Sequence, residues 1–342
     1  MSERSTESLV IIILLNWNSL EDTLRCIDSI FTSTYPHFEI IVVDNGSDVN
    51  PEDTLDAAYP GVQVIRNSEN RGFTGGNNQG IRLALEKNAD YIWLLNNDTT
   101  VSPDTLRELV RAAETFPEAG LLSPVVYVQD HPEKVLWCGS YLDIELHQKH
   151  ITKRLDEVSL WLERSPDKVG VWGTALFIRR SLIERIGLFD EHYFAYWEDN
   201  DYSIRSIQSG FLNQVVASAR VFHQVKDRYP PHYYYYMVRN EYYFWMKYLE
   251  RSQKPAFRRS YLARALQQAG ELLKRDERLQ AQACLAGIWD AWRHRFGEWN
   301  PDLHMPRLLA RFLLAFPGFW IWMGEGNLHR IKVAISSRIR KR

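Results

Sequence analysis

The sequence predicts an α/β protein with a mostly parallel, twisted sheet covered by helices on both faces, followed by a helical C-terminal region. Short apolar runs such as Val10–Leu15 alternate with stretches of helical spacing such as Leu20–Phe31, which predicts strand–helix–strand units. Successive strands end in polar residues, as at Asn16, Asp44 and Asp98. The last third of the chain loses this alternation and shows only helical patterns.

The first half of the chain predicts four strands. Their apolar residues are continuous rather than alternating, which is typical of strands buried on both faces of a sheet. The glycine-rich stretch 70–80 is expected to be a turn that opens a helix at Ile81–Glu86. Ser102 and Pro103 are expected to cap and start a helix around Leu106–Glu114, since both residue types favour those positions. The four predicted strands are Val10–Leu15, Glu39–Asp44, Val62–Ile65 and Tyr91–Leu95.

The order is looser between about residues 120 and 225. The charged stretch 147–164 is expected to be a loop near the mouth of the site. Small residues in the middle of one strand there would let a ligand or another backbone approach closely. The expected strands are Leu121–Val128, Val135–Leu142, Val169–Arg179 and Val215–Phe222, the last of which delivers His223.

Residues 231–342 are densely aromatic at first and then follow helical patterns around 257–275 and 278–295. The apolar stretch Arg307–Met323 contains Arg311 and a Pro-Gly break, so it is too short and too interrupted to span a membrane. An interfacial segment and a helical cap on the body of the protein are both compatible with it.

Composition describes a globular protein of 342 residues, 45% hydrophobic and 25% charged. Its three cysteines are far apart in sequence, which favours a reducing compartment over a disulfide framework. Residues 1–8 lack the basic-then-apolar order of a signal peptide. Residues 251–342 hold 18 Lys or Arg against 7 Asp or Glu, a net charge of +11, whereas the whole chain carries −2. This asymmetry predicts an anionic partner for the C-terminal region, such as a membrane surface, a phosphorylated acceptor or the acidic body of the protein.

Three strand ends are expected to form one crevice. The carboxyl ends of parallel strands lie along one edge of a sheet, which places Asn16, Asp44 and Asp98 together. Asp98 follows the buried strand Tyr91–Leu95, where a hard cation or a phosphate-bearing ligand is expected. Asn and Asp also favour turns, so each residue alone has a purely structural explanation.

A second polar stretch carries three carboxylates, Glu198, Asp199 and Asp201, behind the aromatic residues 194–197. Acids in a first helical turn are stabilised by the helix dipole, so simple capping explains their presence. Aromatic neighbours would also desolvate them, which suits a group that transfers a proton. A helix is expected from this point to Ser209.

Five motifs together resemble glycosyltransferase family 2, and most of all its bacterial rhamnosyltransferase-type members. The resemblance covers roughly residues 8–225 and is carried by Val-Val-Asp-Asn-Gly-Ser-Asp (42–48), Asn-Arg-Gly-Phe-Thr-Gly-Gly-Asn-Asn (70–78), Leu-Leu-Asn-Asn-Asp (94–98), Gly-Thr-Ala-Leu-Phe-Ile-Arg-Arg (173–180) and Trp-Glu-Asp-Asn-Asp (197–201). It implies a GT-A (Rossmann-like) catalytic domain over 1–230, with a nucleotide-sugar-binding half at about 8–115 and an acceptor-binding half at about 116–230. Residues 231–342 would form a separate helical, aromatic and basic region.

The resemblance also implies an inverting transfer from a nucleoside-diphosphate sugar, assisted by Mn²⁺ or Mg²⁺. By position, Asp98 would bind the metal with His223 as a further ligand, and Asp199 would be the base with Glu198 beside it. The implied donor-binding residues are Asn16, Asp44 and Ser47 at the nucleobase end, Asn70, Arg71, Gly72 and Asn77 around the nucleoside, and Asn96 and Asn97 next to the metal.

One motif departs from the family pattern. The usual Asp-x-Asp is Asn96-Asn97-Asp98 here, with an amide in place of the first acid. An amide oxygen can coordinate a metal or contact ribose, but a carboxylate binds Mg²⁺ or Mn²⁺ more strongly. The motif therefore predicts nucleotide binding more firmly than it predicts metal dependence.

Two other functions have sequence requirements of their own. A nicotinamide dehydrogenase needs G-x-G-x-x-G directly after the first strand, and the turn here is Asn16-Trp17-Asn18-Ser19. A catalytically silent sugar-nucleotide-binding or scaffold protein of the same fold fits the missing acid but not the intact 197–201 motif. The expected partners are a dTDP- or UDP-sugar, with rhamnose as the first choice, and a saccharide or lipid-linked acceptor. Nucleic acid is not expected, and the expected location is the cytoplasm, with a peripheral membrane contact through 301–342.

Overall fold

The computed structural model describes residues 7–225, 228–302 and 304–315. The chain divides into two compact units, Met1–Lys226 and Asp227–Arg342. The first half of the first unit contains β1 Val10–Asn16, α1 Leu20–Phe31, β2 Phe38–Asp44, α2 Glu52–Ala58, β3 Gln63–Arg66, α3 Gly72–Glu86, β4 Tyr91–Asn96, β5 Thr99–Val101 and α4 Thr105–Thr115.

The second half of this unit completes the sheet and adds a smaller one. Its elements are β6 Ala119–Val128, β7 His131–Trp137, β8 Gly139–Asp143, β9 Gln148–Thr152, α5 Leu155–Arg164, β10 Val169–Gly170, β11 Ala175–Arg179, α6 Arg180–Ile186, α7 Glu198–Gln208 and β12 Leu212–His223.

The large sheet is parallel in its first half and mixed in its second. Among the described residues it has nine strands, in the order β3-β2-β1-β4-β11-β6-β12-β5, with β7 paired to β6. Strands β3, β2, β1 and β4 run parallel, β11 is antiparallel to β4 and β6, and β12 is parallel to β6. Strands β10, β8 and β9 form the small antiparallel sheet.

The strand β1 is buried on both faces, as its continuous apolar run predicts. Ile12 and Leu14 belong to one core cluster, which α1 and α4 cover, whereas Ile11 and Ile13 belong to the other, which α3 and α6 cover. The sheet therefore separates two cores, and its loops at the carboxyl end of β1 remain available for a site.

The predicted turn at 70–80 is wrong, because α3 already begins at Gly72. Its glycines serve close packing of this helix on β1. A Cβ at Gly80 would lie 2.7 Å from Ile13, and a Cβ at Gly76 would overlap Leu15. The next helix also differs from its prediction. It begins at Thr105 with Asp104 at its N-cap position, where Ser102 was expected. Residues 99–101 before it form the strand β5, which pairs with β12.

Three further expectations are corrected between residues 130 and 180. The expected loop at 147–164 contains β9 and the amphipathic helix α5, whose Val158 is buried in the core. The strand expected at Val135–Leu142 is broken at Cys138, whose N–H bonds to Thr152 O. The strand expected at Val169–Arg179 is two short strands, β10 and β11, separated by residues 171–174.

The second unit is helical, as predicted, with α8 Pro231–Tyr248, α9 Lys254–Lys274, α10 Arg278–Trp292 and α11 Arg307–Ala315. Gly287 lets α10 approach α8, because a Cβ there would lie 2.6 Å from Tyr235 O. Arg239 is fully buried, with its guanidinium 5.2 Å from the Tyr235 ring, and it donates to Gly297 O at 2.7 Å. Within the described ranges, no helix is long and apolar enough to cross a membrane. Residues 316–323 of the predicted interfacial segment lie outside those ranges.

Candidate active site

The ends of β1 and β2 bring three predicted donor-binding side chains together. Asn16 lies opposite Asp44 in the parallel pairing, and its Nδ2 donates to Asp44 Oδ1 at 2.8 Å. Ser47 Oγ donates to the same oxygen at 2.5 Å. All three are almost completely buried, while the neighbouring Trp17 is 48% exposed. The three side chains therefore form one buried hydrogen-bonded cluster at the ends of β1 and β2, with the exposed Trp17 beside it.

Asn45 organises the loop that leads into α3. Its Oδ1 accepts from Asn67 Nδ2 at 3.0 Å and from the Arg71 N–H at 3.1 Å. Its Nδ2 donates to Asn70 Oδ1 at 2.8 Å and to Gly72 O at 3.0 Å. Asn70 and Gly72 are thus held as part of a hydrogen-bonded loop, whereas the Arg71 side chain is exposed.

The first turn of α3 contacts the segment that carries the predicted base. The Thr74 N–H donates to Phe194 O at 3.1 Å, and a Cβ at Gly72 would lie 2.5 Å from that same oxygen. The predicted donor-binding residue Asn77 is buried instead within the helix, where its Nδ2 donates to Phe73 O at 2.9 Å. The predicted nucleoside-binding residues at the start of α3 therefore pack directly against the segment that leads to the predicted base.

Asp98 and His223, the two predicted metal ligands, lie together. Antiparallel pairing of β5 with β12 places His223 opposite Thr99, and His223 Nε2 lies 3.3 Å from Asp98 Oδ1. His223 Nδ1 is buried and makes no hydrogen bond to any residue that the structure describes. The Trp172 ring lies 6.5 Å from the imidazole.

This donor set fits a metal that takes most of its ligands from the substrate. Among the described residues, no group of three or more His, Cys, Asp or Glu side chains is arranged to hold an ion. Mg²⁺ is usually bound by one or two carboxylates together with substrate phosphates. Asp98, with His223 beside it, supplies that kind of incomplete site.

The two amides before Asp98 differ in their surroundings. Asn97 Nδ2 donates to Thr23 Oγ1 at 2.9 Å and to Ser19 O at 3.3 Å, both at the start of α1. The Asn96 side chain forms no hydrogen bond with the described residues, although its N–H donates to Thr174 O at 2.9 Å. Asn97 is therefore fixed in the structure, and the Asn96 side chain is the adaptable one.

Asp199, the predicted base, is buried and fully hydrogen-bonded. Its Oδ2 accepts the Gly173 N–H at 3.1 Å, and its Oδ1 accepts the Asn200 N–H at 2.7 Å and Asn200 Nδ2 at 2.5 Å. The two acids pack closely on Gly173, since a Cβ there would lie 3.3 Å from Glu198 Oε1 and 3.5 Å from the Asp199 Cβ. The sequence predicts that a ligand or another part of the chain lies close to the small residues of this stretch, and the side chains of Glu198 and Asp199 do so.

Glu198 has a different environment from its neighbour. Its Oε2 is buried without a hydrogen-bond partner among the described residues. Burial raises the pKa of Glu198 well above its ordinary value of 4.5, and the charge of Asp199 adds to the increase, while Lys149 opposes it. Lys149 Nζ lies 4.4 Å from the centroid of the Trp197 ring. Glu198 therefore keeps its proton to a higher pH than an exposed glutamate does.

Asp201, the third acid of this turn, is used within the fold. It is 1% exposed, accepts from Tyr193 OH at 3.2 Å and lies 3.7 Å from Arg205. These contacts give Asp201 a structural role. Glu198 and Asp199 are then the two acids of this turn that remain candidates for the chemistry.

The backbone before these acids is unusual. Phe194, Tyr196 and Trp197 have φ values of 63°, 66° and 74°, in the left-handed region that bulky residues avoid. Strain of this kind costs about 1–3 kcal/mol per residue and is concentrated at functional sites. The strained backbone ends where Glu198 starts α7.

Sequence reasoning missed four residues of this arrangement: Trp17, Thr23, Asn45 and Gly173. Asn45 and Gly173 lie within the resembling motifs, so the motifs held a signal for them. Trp17 follows a strand-end residue, where the sequence indicates only a turn. Thr23 lies inside an ordinary helical pattern, and no sequence signal distinguishes it.

Comparison with known proteins gives a family and several relatives. The model of the family described as "Glycosyl transferase family 2" matches residues 10–187. The chain is 27% identical over 225 residues to the N-acetylglucosaminyl-diphospho-decaprenol L-rhamnosyltransferase of Mycobacterium tuberculosis, across 58% of this chain and 70% of that protein. It is 23% identical over 190 residues to the dTDP-rhamnosyl transferase RfbF of Shigella flexneri, across 55% of this chain and 60% of that protein.

Solved structures with a similar fold cover most of the chain. The mannosyltransferase PcManGT from Pyrobaculum calidifontis, in complex with GDP-Man and Mn²⁺, matches with a TM-score of 0.55 and 16% identity over 84% of this chain and 87% of that one. Residues 1–349 of TarS from S. aureus match with a TM-score of 0.55 and 15% identity, over 94% and 91% of the two chains. Together with the family match, these likenesses confirm the GT-A fold.

Proposed function

The chain belongs to glycosyl transferase family 2, and on that premise we propose that it moves a sugar from a nucleoside-diphosphate donor to a hydroxyl of a saccharide or lipid-linked saccharide. We propose rhamnose on dTDP as the donor, with a UDP-hexose as the second choice, because two relatives are named for rhamnosyl transfer. The acceptor proposal follows the decaprenol-linked saccharide in the name of one of them. Its role would be in building a cell-surface polysaccharide.

The observation that carries the proposal is the dipeptide Gly173–Thr174, which contacts both Asp199 and the strand end that precedes Asp98. Gly173 donates its N–H to Asp199, and the next residue, Thr174, accepts the N–H of Asn96. An acid suited to proton removal and the strand that leads two residues later to Asp98 are therefore bound to the same dipeptide. We place the donor diphosphate beside Asp98 and the acceptor hydroxyl beside Asp199.

Asp199 would remove the proton of the acceptor hydroxyl as that oxygen attacks the sugar. A positioned general base contributes typically about 10²–10⁴-fold, and the Gly173 and Asn200 donors hold this carboxylate in one orientation. Attack from the side opposite the leaving diphosphate inverts the anomeric carbon. Glu198, whose buried Oε2 makes no hydrogen bond with the described residues and whose pKa burial raises, would support the position of Asp199 rather than accept the proton.

A divalent ion, Mn²⁺ or Mg²⁺, completes the proposed site. Asp98 and His223 would hold it, and when bound it supplies a Lewis acid that neutralises the charge on the departing diphosphate. At the other end of the crevice, Trp17 would stack on the nucleobase above the Asn16–Asp44–Ser47 cluster, since an exposed indole suits a flat aromatic ligand. Asn70, Arg71 and Gly72 would line the nucleoside between these ends, with Asn77 supporting them from inside α3.

The proposed division of labour follows the chain. Residues 8–115 carry Asp44 and Asp98 and would bind the donor, whereas residues 116–230 carry Asp199 and would bind the acceptor. The boundary proposed at 230 lies close to the division between the two compact units after Lys226.

We also propose that residues 301–342 contact an anionic membrane on its cytoplasmic side. Helix α11 exposes 82% of Leu308 and 56% of Phe312, carries Arg307 and Arg311, and has no acid. Exposed apolar residues interspersed with arginine suit the interface of an anionic bilayer. A surface of this kind would bring the enzyme to a lipid-linked acceptor.

The test has a binding part and a transfer part. Melting temperature is measured with dTDP-, UDP- and GDP-sugars, with and without Mn²⁺, since a ligand of the folded state raises it. The nucleotide that binds is then used in a transfer assay with the Asp98→Ala variant as comparison, and the anomeric configuration of the product is read by NMR. No stabilisation by any nucleotide refutes the proposal. Nucleotide binding without transfer to any saccharide or lipid-linked saccharide supports a catalytically silent binding protein instead. Full activity in EDTA refutes the proposed role of the metal.

A further inference from the structure

One face of α1 supports the segment that carries Asp98. Thr23, Cys26 and Ser29 are three residues apart, so they lie on the same side of the helix. Burial raises the pKa of the Cys26 thiol to about 12, which keeps it a hydrogen-bond donor. All three bind residues 96–101. Thr23 Oγ1 accepts from Asn97 Nδ2 at 2.9 Å, and Cys26 Sγ donates to Asn96 O at 3.8 Å. Ser29 Oγ accepts the Val101 N–H at 3.1 Å.

Thr23 also reaches the opposite end of the donor site. Its Oγ1 donates to Asn16 Oδ1 at 3.0 Å, and Asn16 Nδ2 donates to Asp44 Oδ1 at 2.8 Å. A continuous chain of hydrogen bonds therefore runs from Asn97, beside the metal-binding acid, to Asp44, under the nucleobase end. Thr23 and Asp44 are both 0% exposed, so bulk solvent does not compete for these hydrogen bonds.

The chain has a fixed direction. Asp44 only accepts when ionised, so Asn16 must present its NH₂ to it and its oxygen to Thr23. The Thr23 hydroxyl then donates to Asn16 Oδ1, with Ser19 O at 3.2 Å as a second acceptor of the same hydrogen, and its oxygen accepts from Asn97 Nδ2. Ser19 O, 3.3 Å from Asn97 Nδ2, also requires a donor there. Asn97 therefore has to be an amide with its NH₂ toward α1, which leaves its oxygen for the site.

We infer that Thr23 is a positioning residue of the donor site, through which the Asp44 end and the Asn97–Asp98 end are held in register. The inference rests on the proposed function, because it assumes that a nucleoside diphosphate lies between these two ends. The hydroxyl touches neither the substrate nor the metal. It fixes the amide orientations of Asn16 and Asn97, so its loss affects both ends of the ligand at once.

The experiment compares Thr23→Val, Thr23→Ser and Ser29→Ala in the full chain. Valine keeps the shape of threonine and removes the hydroxyl, and serine restores the hydroxyl. Ser29→Ala removes a hydrogen bond between the same helix and β5 without touching the Asn97–Asp44 chain. Binding of dTDP and UDP in the presence of Mn²⁺ is measured by calorimetry, together with the Mn²⁺ concentration at half-saturation and the melting temperature.

We expect Thr23→Val to weaken nucleotide binding on the order of tenfold, as the loss of one buried hydrogen-bond partner implies, and to raise the Mn²⁺ requirement in parallel. Thr23→Ser should bind close to wild type, and Ser29→Ala should melt earlier with unchanged affinity. If Thr23→Val does not fold, Thr23→Ala replaces it. Wild-type affinity in the folded variant overturns the inference, as does an equal loss of affinity in Ser29→Ala. A wild-type protein that binds no nucleotide refutes the proposed function instead.

Discussion

Replacing Asp199 by asparagine should abolish most transfer and also destabilise the fold. An aspartate offers an acceptor on each oxygen, and the structure uses both, for Gly173 N–H at 3.1 Å and for Asn200 N–H at 2.7 Å. An asparagine has only one acceptor oxygen. In either orientation of the amide, one buried backbone N–H loses its partner.

The two consequences have separate magnitudes. An unpartnered buried N–H costs about 1–3 kcal/mol, so the free energy of unfolding should fall by that amount. Removing a general base should lower kcat by about 10²–10⁴-fold, which corresponds to about 3–5 kcal/mol in the barrier. Donor affinity should change little, since Asp199 is expected to contact the acceptor.

Ser203→Ala is the matched control. Ser203 is fully buried on α7 and accepts the Val171 N–H at 3.2 Å, so its loss breaks a bond of the same type between the same two segments. Urea unfolding, donor titration and initial rates are measured for both variants and for Glu198→Gln. Comparable stability losses with a rate loss confined to Asp199→Asn are expected. If Ser203→Ala loses as much transfer, or Glu198→Gln loses more, then Asp199 is not the base.

Three further predictions concern the metal, the pH dependence and the membrane. Asn96→Asp should lower the Mn²⁺ concentration at half-maximal activity, because it adds a carboxylate next to the proposed metal site. Asn97→Asp should raise that concentration, because its carboxylate would face the carbonyl oxygen of Ser19. Shifts of the same sign in the two variants would contradict this prediction. Burial raises the pKa of Glu198 in the folded state above its ordinary value of 4.5. Between pH 4.5 and the folded pKa the native state therefore binds more protons than the unfolded state, so the free energy of unfolding falls as pH rises. Glu198→Gln removes this dependence, so its free energy of unfolding should increase relative to that of the wild type as pH rises, and a difference that stays constant with pH would refute the prediction. Leu308→Glu should reduce pelleting with anionic vesicles at low salt, and equal pelleting of both forms would exclude a membrane contact through α11.

The sequence predicted the fold where local pattern and tertiary role agree. Continuous apolar runs gave β1, β2 and β4 because these strands are buried on both faces. The start of α3 was missed because its glycines look like a turn, although they exist to let the helix approach Leu15 and Ile13. Such distances between non-neighbouring elements leave no periodic signal in the sequence.

The sequence predicted the candidate site residues that lie at the ends of strands, but not the residues that hold those strand ends in place. Asp98 and His223 were expected together and lie 3.3 Å apart. The departure of residues 171–174 from the sheet was not expected, since it depends on Asp199 accepting a backbone N–H from a segment 26 residues earlier. Thr23 could not be predicted either, because a threonine on a helix is ordinary until its contacts with Asn16 and Asn97 are seen.

The left-handed aromatic residues before α7 have a consequence for engineering. Glycine adopts these φ values at lower cost than Phe194, Tyr196 or Trp197, but the strain relieved, about 1–3 kcal/mol, is smaller than the about 3–5 kcal/mol lost when a buried aromatic ring such as that of Trp197 is deleted. The same substitutions would also free the chain that delivers Glu198 and Asp199. Thermal tolerance and turnover should therefore fall together at these three positions, which makes them a poor starting point for a durable catalyst.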